Sequence, residues 1–298
     1  MTPGVADRRE ACATMVEVLR GNLGNRRPET VAHDPAVGQR AAEVLQTSIE
    51  AVAASTAATE LLRTFGLRPG FLGPSVDTAL MVAMIGVRRG WEATRLEHAT
   101  ISAMFADIGM LRLPEEAVFK PCALNTDEVR VMRLHPYVGS MLLEPLAPVL
   151  APQIGEVALQ HHEHVDGSGY PNGLRAGDIL EEAQAVGICH LYSATTRIRP
   201  YRDTLTPAQA MDLIEGLAGR AWDPRIVRAF ADGLAMYPIG TLVRLANGES
   251  GVVVPGGTPR RPLVEMRWSA EGIAIHERLV PASTTDTGLA IVAVGRSY

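Results

Sequence analysis

Between Val76 and Met236 the chain repeats apolar residues at a spacing near 3.6, one segment after another, and then abandons that pattern. The spacing predicts helices over 77–90, 92–105, 126–143, 155–162, 180–194, 207–217 and 224–235. Helix-start chemistry accompanies several of them. Thr126 precedes Asp127 and Glu128, and Thr206-Pro207 places proline in a first turn. From Tyr237 onward the runs shorten to strand length, at 241–245, 251–254, 263–268, 273–276 and 289–294. Turn-forming Asn247-Gly248 and Pro255-Gly256-Gly257 lie between them. The expected fold is therefore mostly α, a helical bundle carrying a small C-terminal β appendage.

Upstream of the bundle, 41–65 is alanine-rich and helix-like, with Val44, Leu45, Ile49, Val52, Leu61 and Leu62 on one face. The stretch 66–74, with three glycines and two prolines, is expected to break that helix. Three regions follow: an N-terminal helical region over 1–73, the main bundle over 74–236, and a β-rich extension over 237–298. A support or pairing role is the plainer reading of the first region, and a sensory role is the alternative.

Composition narrows the function classes. A chain of 298 residues, 47% hydrophobic and 20% charged, excludes disorder, collagen and low-complexity scaffolds. Its net charge of −5 offers no global basic field for duplex nucleic acid. Cys12, Cys122 and Cys189 share no metal-ligand spacing and suit a reducing compartment. The opening MTPGVADRRE lacks the apolar core of a secretory signal. The most apolar stretch, 79–87, falls far below the roughly 20 residues that span a bilayer. A cytoplasmic protein with no membrane partner is the expectation.

The chemistry concentrates in His161-His162-Glu163-His164-Val165-Asp166-Gly167-Ser168-Gly169-Tyr170-Pro171. Neighbouring histidines on a helix point about 100° apart, so both reach one metal cluster only at a helix end or between two ions. The glycines and Pro171 then form a rigid turn that lets backbone approach a ligand closely.

This run, unbroken over 161–174, resembles the signature HHExxDGxGYPxGL of HD-GYP domains, metal-dependent phosphodiesterases that hydrolyse the bacterial second messenger cyclic di-GMP. The resemblance covers roughly 74–236 and takes in Phe105-Ala106-Asp107-Ile108-Gly109-Met110, Lys120-Pro121, Leu134-His135-Pro136 and Arg199-Pro200-Tyr201-Arg202. It implies an HD-type helical bundle with metal positions at Asp107, His135, His161 and His162, Asp107 doubling as the catalytic aspartate of the motif. It further implies ligand contacts from Tyr170, Arg199, Arg202 and Lys120, with Gly169-Tyr170-Pro171 as the defining turn. For Lys120 a helix-capping or surface role remains open. His33, His98, His164 and His276 match no ligand position.

Departures from the pattern bear on activity. Where active members read His-Asp-Ile-Gly-Lys, this chain reads Ala106-Asp107-Ile108-Gly109-Met110. The family's upstream histidine falls on Pro74-Ser75-Val76-Asp77, and no histidine lies between His33 and His98. The late aspartate ligand falls on His190, which can itself bind a metal but cannot bridge two ions. The surviving residues imply one divalent ion at most, iron or manganese foremost and zinc or nickel as further choices. Three neutral imidazoles, one carboxylate and that ion leave the cluster at roughly +1, attractive to a phosphodiester but weaker than a two-metal centre.

The implied function is a divergent HD-GYP protein of cyclic di-GMP signalling, weak or inactive as a phosphodiesterase but retaining metal, nucleotide or partner binding. Two alternatives stay open. One is a working metal-dependent cyclic di-GMP phosphodiesterase. The other is a non-catalytic interaction module whose Gly-Tyr-Pro turn meets a diguanylate cyclase domain.

Overall fold

A computed structural model describes residues 34–55, 71–196, 205–237, 241–282 and 288–295, together with Ala32, 57–59, Leu61 and Thr64. Helix α1 (Pro35–Ala54) opens on Asp34, whose carboxylate accepts the Ala36 N–H at 2.9 Å, with Pro35 at the first helical position. It ends at Ala54, well before the expected glycine-rich break. Helix α2 (Leu72–Arg89) starts earlier than its periodicity predicts, because Gly73 and Pro74 fit a first turn whose N–H groups need no intrahelical partner. Gly90 closes it in the left-handed conformation, with φ 68°.

Helix α3 (Ala93–Phe105) runs into a 3-10 turn (Ile108–Arg112), followed by the short α4 (Glu115–Val118). The helix expected over 126–143 is two helices, α5 (Thr126–Met132) and α6 (His135–Leu143). Pro136 explains the break: its ring has no N–H to continue α5, so it sits in the first turn of a new helix. The cap of α5 also falls one residue earlier than expected. Asn125 and Glu128 form the reciprocal capping box, leaving Thr126 as the first helical residue. Helices α7 (Ile154–Gln160), α8 (Glu181–Thr196), α9 (Pro207–Gly216) and α10 (Pro224–Gly233) complete the bundle. Thr206 caps α9 as expected, in a box with Gln209. Among the described residues no helix is long and apolar enough to cross a membrane.

Strands β1 (Leu242–Leu245), β2 (Ser250–Thr258), β3 (Arg261–Trp268), β4 (Ala274–Pro281) and β5 (Ile291–Gly295) form one antiparallel sheet in the order β4-β3-β2-β1-β5. Asn247-Gly248 makes the β1–β2 turn, with Gly248 at φ 89°. Pro255-Gly256-Gly257, expected to be a turn, lies inside β2 instead. There the register against β3 slips between Val254 and Gly257, and both glycines take positive φ, so the sequence encodes a bulge.

One apolar core joins these parts. It includes Leu45 and Ile49 of α1, Leu80 and Met84 of α2, Ile101 and Phe105 of α3, and Ile188 of α8. Val243, Val264 and Met266 extend it into the sheet. Burial of whole Leu, Ile, Met and Phe side chains, at about 1.5–3 kcal/mol each, dominates what holds α3, α7 and α8 together. Surface ion pairs among Arg89, Arg95 and Glu181 add little beside it. The site lies where the ends of these helices meet.

Candidate metal centre

Four side chains converge: ligand atoms of Asp107, His135, His161 and His162 all lie within 4.8 Å of one another. Each is placed by a chain reversal. Asp107 follows α3 and caps the 3-10 turn, held between the fully buried Phe105 and Ile108. His135 opens α6, while His161 and His162 follow the last turn of α7. The adjacent histidines thus meet the sequence condition for reaching one point, a helix end. Gly109 brings two of these segments into contact. A Cβ there would sit 2.0 Å from the His135 carbonyl oxygen and 2.5 Å from the Gly139 nitrogen, so only glycine allows this approach.

Hydrogen bonding fixes the tautomers. His135 Nδ1 lies 2.7 Å from the Met132 carbonyl oxygen, and His161 Nδ1 lies 2.7 Å from that of Ala158. A carbonyl only accepts, so both rings donate from Nδ1 and turn bare Nε2 lone pairs inward. Those two Nε2 atoms face each other at 3.3 Å. Asp107 Oδ1 lies 3.4 and 3.6 Å from them, buried and without a hydrogen-bond donor. Three acceptors aimed at one another without a proton between them are costly unless a cation sits among them. The donor set of imidazole nitrogens and a carboxylate fits a divalent transition metal.

Electrostatics keeps these groups in ligand form. Burial, only partly opposed by Asp107, lowers the His135 pKa to about 4, so the ring is neutral near pH 7. Burial and the neighbouring imidazoles hold His162 well below its usual value. For Asp107, burial works upward, but the facing imidazoles, His190 foremost, outweigh it and hold the carboxyl well below its ordinary range.

His190, midway along α8, reaches the centre differently. Its Nε2 lies 2.8 Å from Asp107 Oδ2, the oxygen opposite the one facing His135 and His161. Ala106 is buried at the end of α3 and presents only a methyl group where the motif's histidine would stand.

The turn over 163–174 is built around a carboxylate that sequence reasoning passed over. Glu163 is fully buried and accepts N–H bonds from Asn172 at 2.6 Å and Leu174 at 2.9 Å. Gly169 lets the turn fold back, since a Cβ there would meet the His164 nitrogen at 2.3 Å. The Tyr170–Pro171 peptide is cis, and the Tyr170 N–H donates to the His162 carbonyl at 3.1 Å. Tyr170 is stacked on His162, with ring centroids 4.6 Å apart and planes at 15°. Burial pushes its phenol pKa up, so the hydroxyl keeps its proton. The Arg133 guanidinium carbon lies 5.0 Å from the centroid of the same ring.

Other expected residues are less central. Lys120 donates to both oxygens of Glu128, at 2.6 and 2.8 Å, which ties it to the cap of α5. Arg199, Arg202 and His33 lie outside the described residues. His98 lines a cleft of about 440 Å³ with Arg95 and Glu182. His164 Nδ1 lies 3.0 Å from Ser168 Oγ, within the turn, and His276 lies on β4. Glu163 was detectable as the third residue of the His-His-Glu run. Arg133 carried no signal beyond standing two residues before His135.

Comparison with known proteins gives the family of the chain. The HD domain family matches residues 40–226. The chain is 32% identical over 209 residues to cyclic di-GMP phosphodiesterase PA4108 of Pseudomonas aeruginosa, covering 68% of this chain and 50% of that protein. It is 32% identical to the cyclic di-GMP phosphodiesterase response regulator RpfG of Xanthomonas campestris, covering 59% of this chain and 47% of that one. It is 33% identical to a cyclic di-GMP phosphodiesterase of Thermotoga maritima, with 48% and 42% covered. The chain spans about half the length of these relatives or somewhat less.

Proposed function

This chain belongs to the HD-domain family, and on that premise we propose that it is a divergent HD-GYP protein of cyclic di-GMP signalling, binding a cyclic dinucleotide and one divalent ion in the cytoplasm and hydrolysing the nucleotide slowly or not at all. The observation that carries the reading is the asymmetry of the cluster. Asp107, His135, His161 and His162 supply a ligand set for one ion, while buried Ala106 and the neighbouring Met110 supply neither a further ligand nor a charge.

A divalent ion held by these four residues would polarise a phosphoryl oxygen and acidify a bound water. The chain's own groups do the rest. Carbonyls of Met132 and Ala158 orient His135 and His161, and His190 Nε2–H holds Asp107 through its outer oxygen. Tyr170, protonated and stacked on His162, can donate to a phosphate oxygen or present its ring to a base. At the end of α3, Ala106 and Met110 offer no cationic group to take up charge on the leaving oxygen. Losing such a contribution typically costs ~10²–10⁴-fold in rate.

Metal analysis of the purified protein, coupled to a cyclic di-GMP turnover assay beside the Pseudomonas relative, tests the proposal. At most one ion per chain is expected, with turnover lower by that factor. Two ions and ordinary turnover would establish the working-phosphodiesterase alternative instead. Binding of neither metal nor nucleotide would favour an interaction module meeting a diguanylate cyclase domain through the Gly169-Tyr170-Pro171 turn.

A further inference from the structure

We propose that Arg133 anchors a phosphate of the bound nucleotide at the mouth of the metal centre, taking up a role that the chain's Met110 cannot fill; this rests on the cyclic-dinucleotide reading given above. Arg133 occupies the break between α5 and α6, where its backbone is fixed by an N–H bond to the Val129 carbonyl at 3.0 Å. Its side chain is exposed, and no described carboxylate pairs with it. Its placed contact is with the Tyr170 ring, at 5.0 Å. Tyr170 in turn stacks on His162 at 4.6 Å, so the guanidinium stands one aromatic ring away from the cluster.

Position and chemistry point the same way. Lys120, the lysine that family likeness would bring to the ligand, already has both Glu128 oxygens on its ammonium. Arg133 has its charge uncommitted among the described residues and its guanidinium carbon over an aromatic face. A guanidinium so placed presents a planar fork of N–H donors, which matches two phosphate oxygens better than a lysine does. Ordering it against Tyr170 in advance lowers the entropy lost when ligand binds. The same ring therefore touches both His162 and Arg133, and an anion on Arg133 lies beside the turn that carries Tyr170.

Equilibrium binding to the manganese-loaded full chain tests this with two probes, cyclic di-GMP and the simple diester bis(p-nitrophenyl) phosphate. The variants are Arg133→Met, which keeps an apolar stem over Tyr170 without charge, and Arg133→Lys, which keeps the charge. Thermal melting and metal content are expected to be unchanged in both, since the side chain is exposed. Arg133→Met is expected to weaken both probes by about 10- to 100-fold and to flatten the salt dependence of binding. Arg133→Lys is expected to recover part of the affinity. If wild type binds cyclic di-GMP and Arg133→Met binds it equally well, the anchor is overturned and the cyclic-dinucleotide reading stands. If wild type binds the simple diester through Arg133 but ignores cyclic di-GMP, the cyclic-dinucleotide reading falls and Arg133 stands as an anchor for phosphodiesters of another kind. Binding of neither probe by wild type overturns both.

Discussion

His135 and His161 confront each other through bare Nε2 atoms at 3.3 Å, each ring having committed its Nδ1 proton to a backbone carbonyl one turn back. No hydrogen bond can form between two acceptors, so the pair gains nothing from its proximity unless a cation lies between. The protein is therefore expected to be stabilised by metal. At a free ion concentration about 100 times the Kd, binding adds about 2.7 kcal/mol. Melting with manganese and with chelator should show a higher midpoint with the ion. His161→Ala should erase that difference together with the metal content. A His161→Ala protein that keeps both would show that the cluster is not the site.

The buried carboxylate of Glu163 carries the turn rather than the centre. Glu163→Gln keeps one acceptor and turns an NH₂ group toward either the Asn172 or the Leu174 N–H, leaving a buried donor unpaired. The expected cost is about 1–3 kcal/mol, read by urea unfolding. Hydrogen exchange at Asn172 and Leu174 should quicken more than exchange in α2. Equal quickening throughout would assign Glu163 to global stability instead.

What was legible in the sequence, and what was not, follows from the range of each interaction. The helices of the bundle were readable because their apolar residues repeat at helical spacing, and Asp107, His135, His161 and His162 because the segments that carry them resemble those of HD-GYP domains. The break between Met132 and His135 was hidden by apolar periodicity that continues across it, although Pro136 was the available clue. Pro255-Gly256-Gly257 reads as a turn locally, and only its pairing with β3 makes it a bulge. Arg133 depended on where the turn carries Tyr170, a placement set by the Glu163 hydrogen bonds thirty residues further along, which no local pattern encodes.

Gly109 offers a sharper test of how the centre is assembled. The Cβ introduced by Gly109→Ala would lie 2.0 Å from the His135 carbonyl oxygen, backbone against backbone, with no flexible side chain to give way. The 3-10 turn must then move off α6, carrying Asp107 away from His135. A loss of about 3 kcal/mol or more is expected from such overpacking, with weaker metal retention. The control is Gly216→Ala, where nothing lies within 4 Å of the added Cβ. If Gly109→Ala melts and holds metal like the control, close backbone approach is not what brings Asp107 to the histidines.

Ala106→His addresses whether one missing side chain would account for the slow hydrolysis proposed above. Ala106 is buried at the end of α3, so an imidazole there must find room as well as a ligand role, and the larger side chain is expected to lower stability by about 1–3 kcal/mol. The position one helix upstream, on α2, carries Pro74-Ser75-Val76-Asp77 and brings no histidine. His190 meanwhile engages the outer oxygen of Asp107, at 2.8 Å. Restoring the histidine alone thus leaves the upstream nitrogen donor missing and one Asp107 oxygen engaged by His190. Turnover of cyclic di-GMP by Ala106→His is accordingly expected to stay within about tenfold of wild type, where a restored general acid–base or electrostatic contribution would bring ~10²–10⁴-fold. A gain of that size, accompanied by a second bound ion, would show that Ala106 alone limits the chemistry.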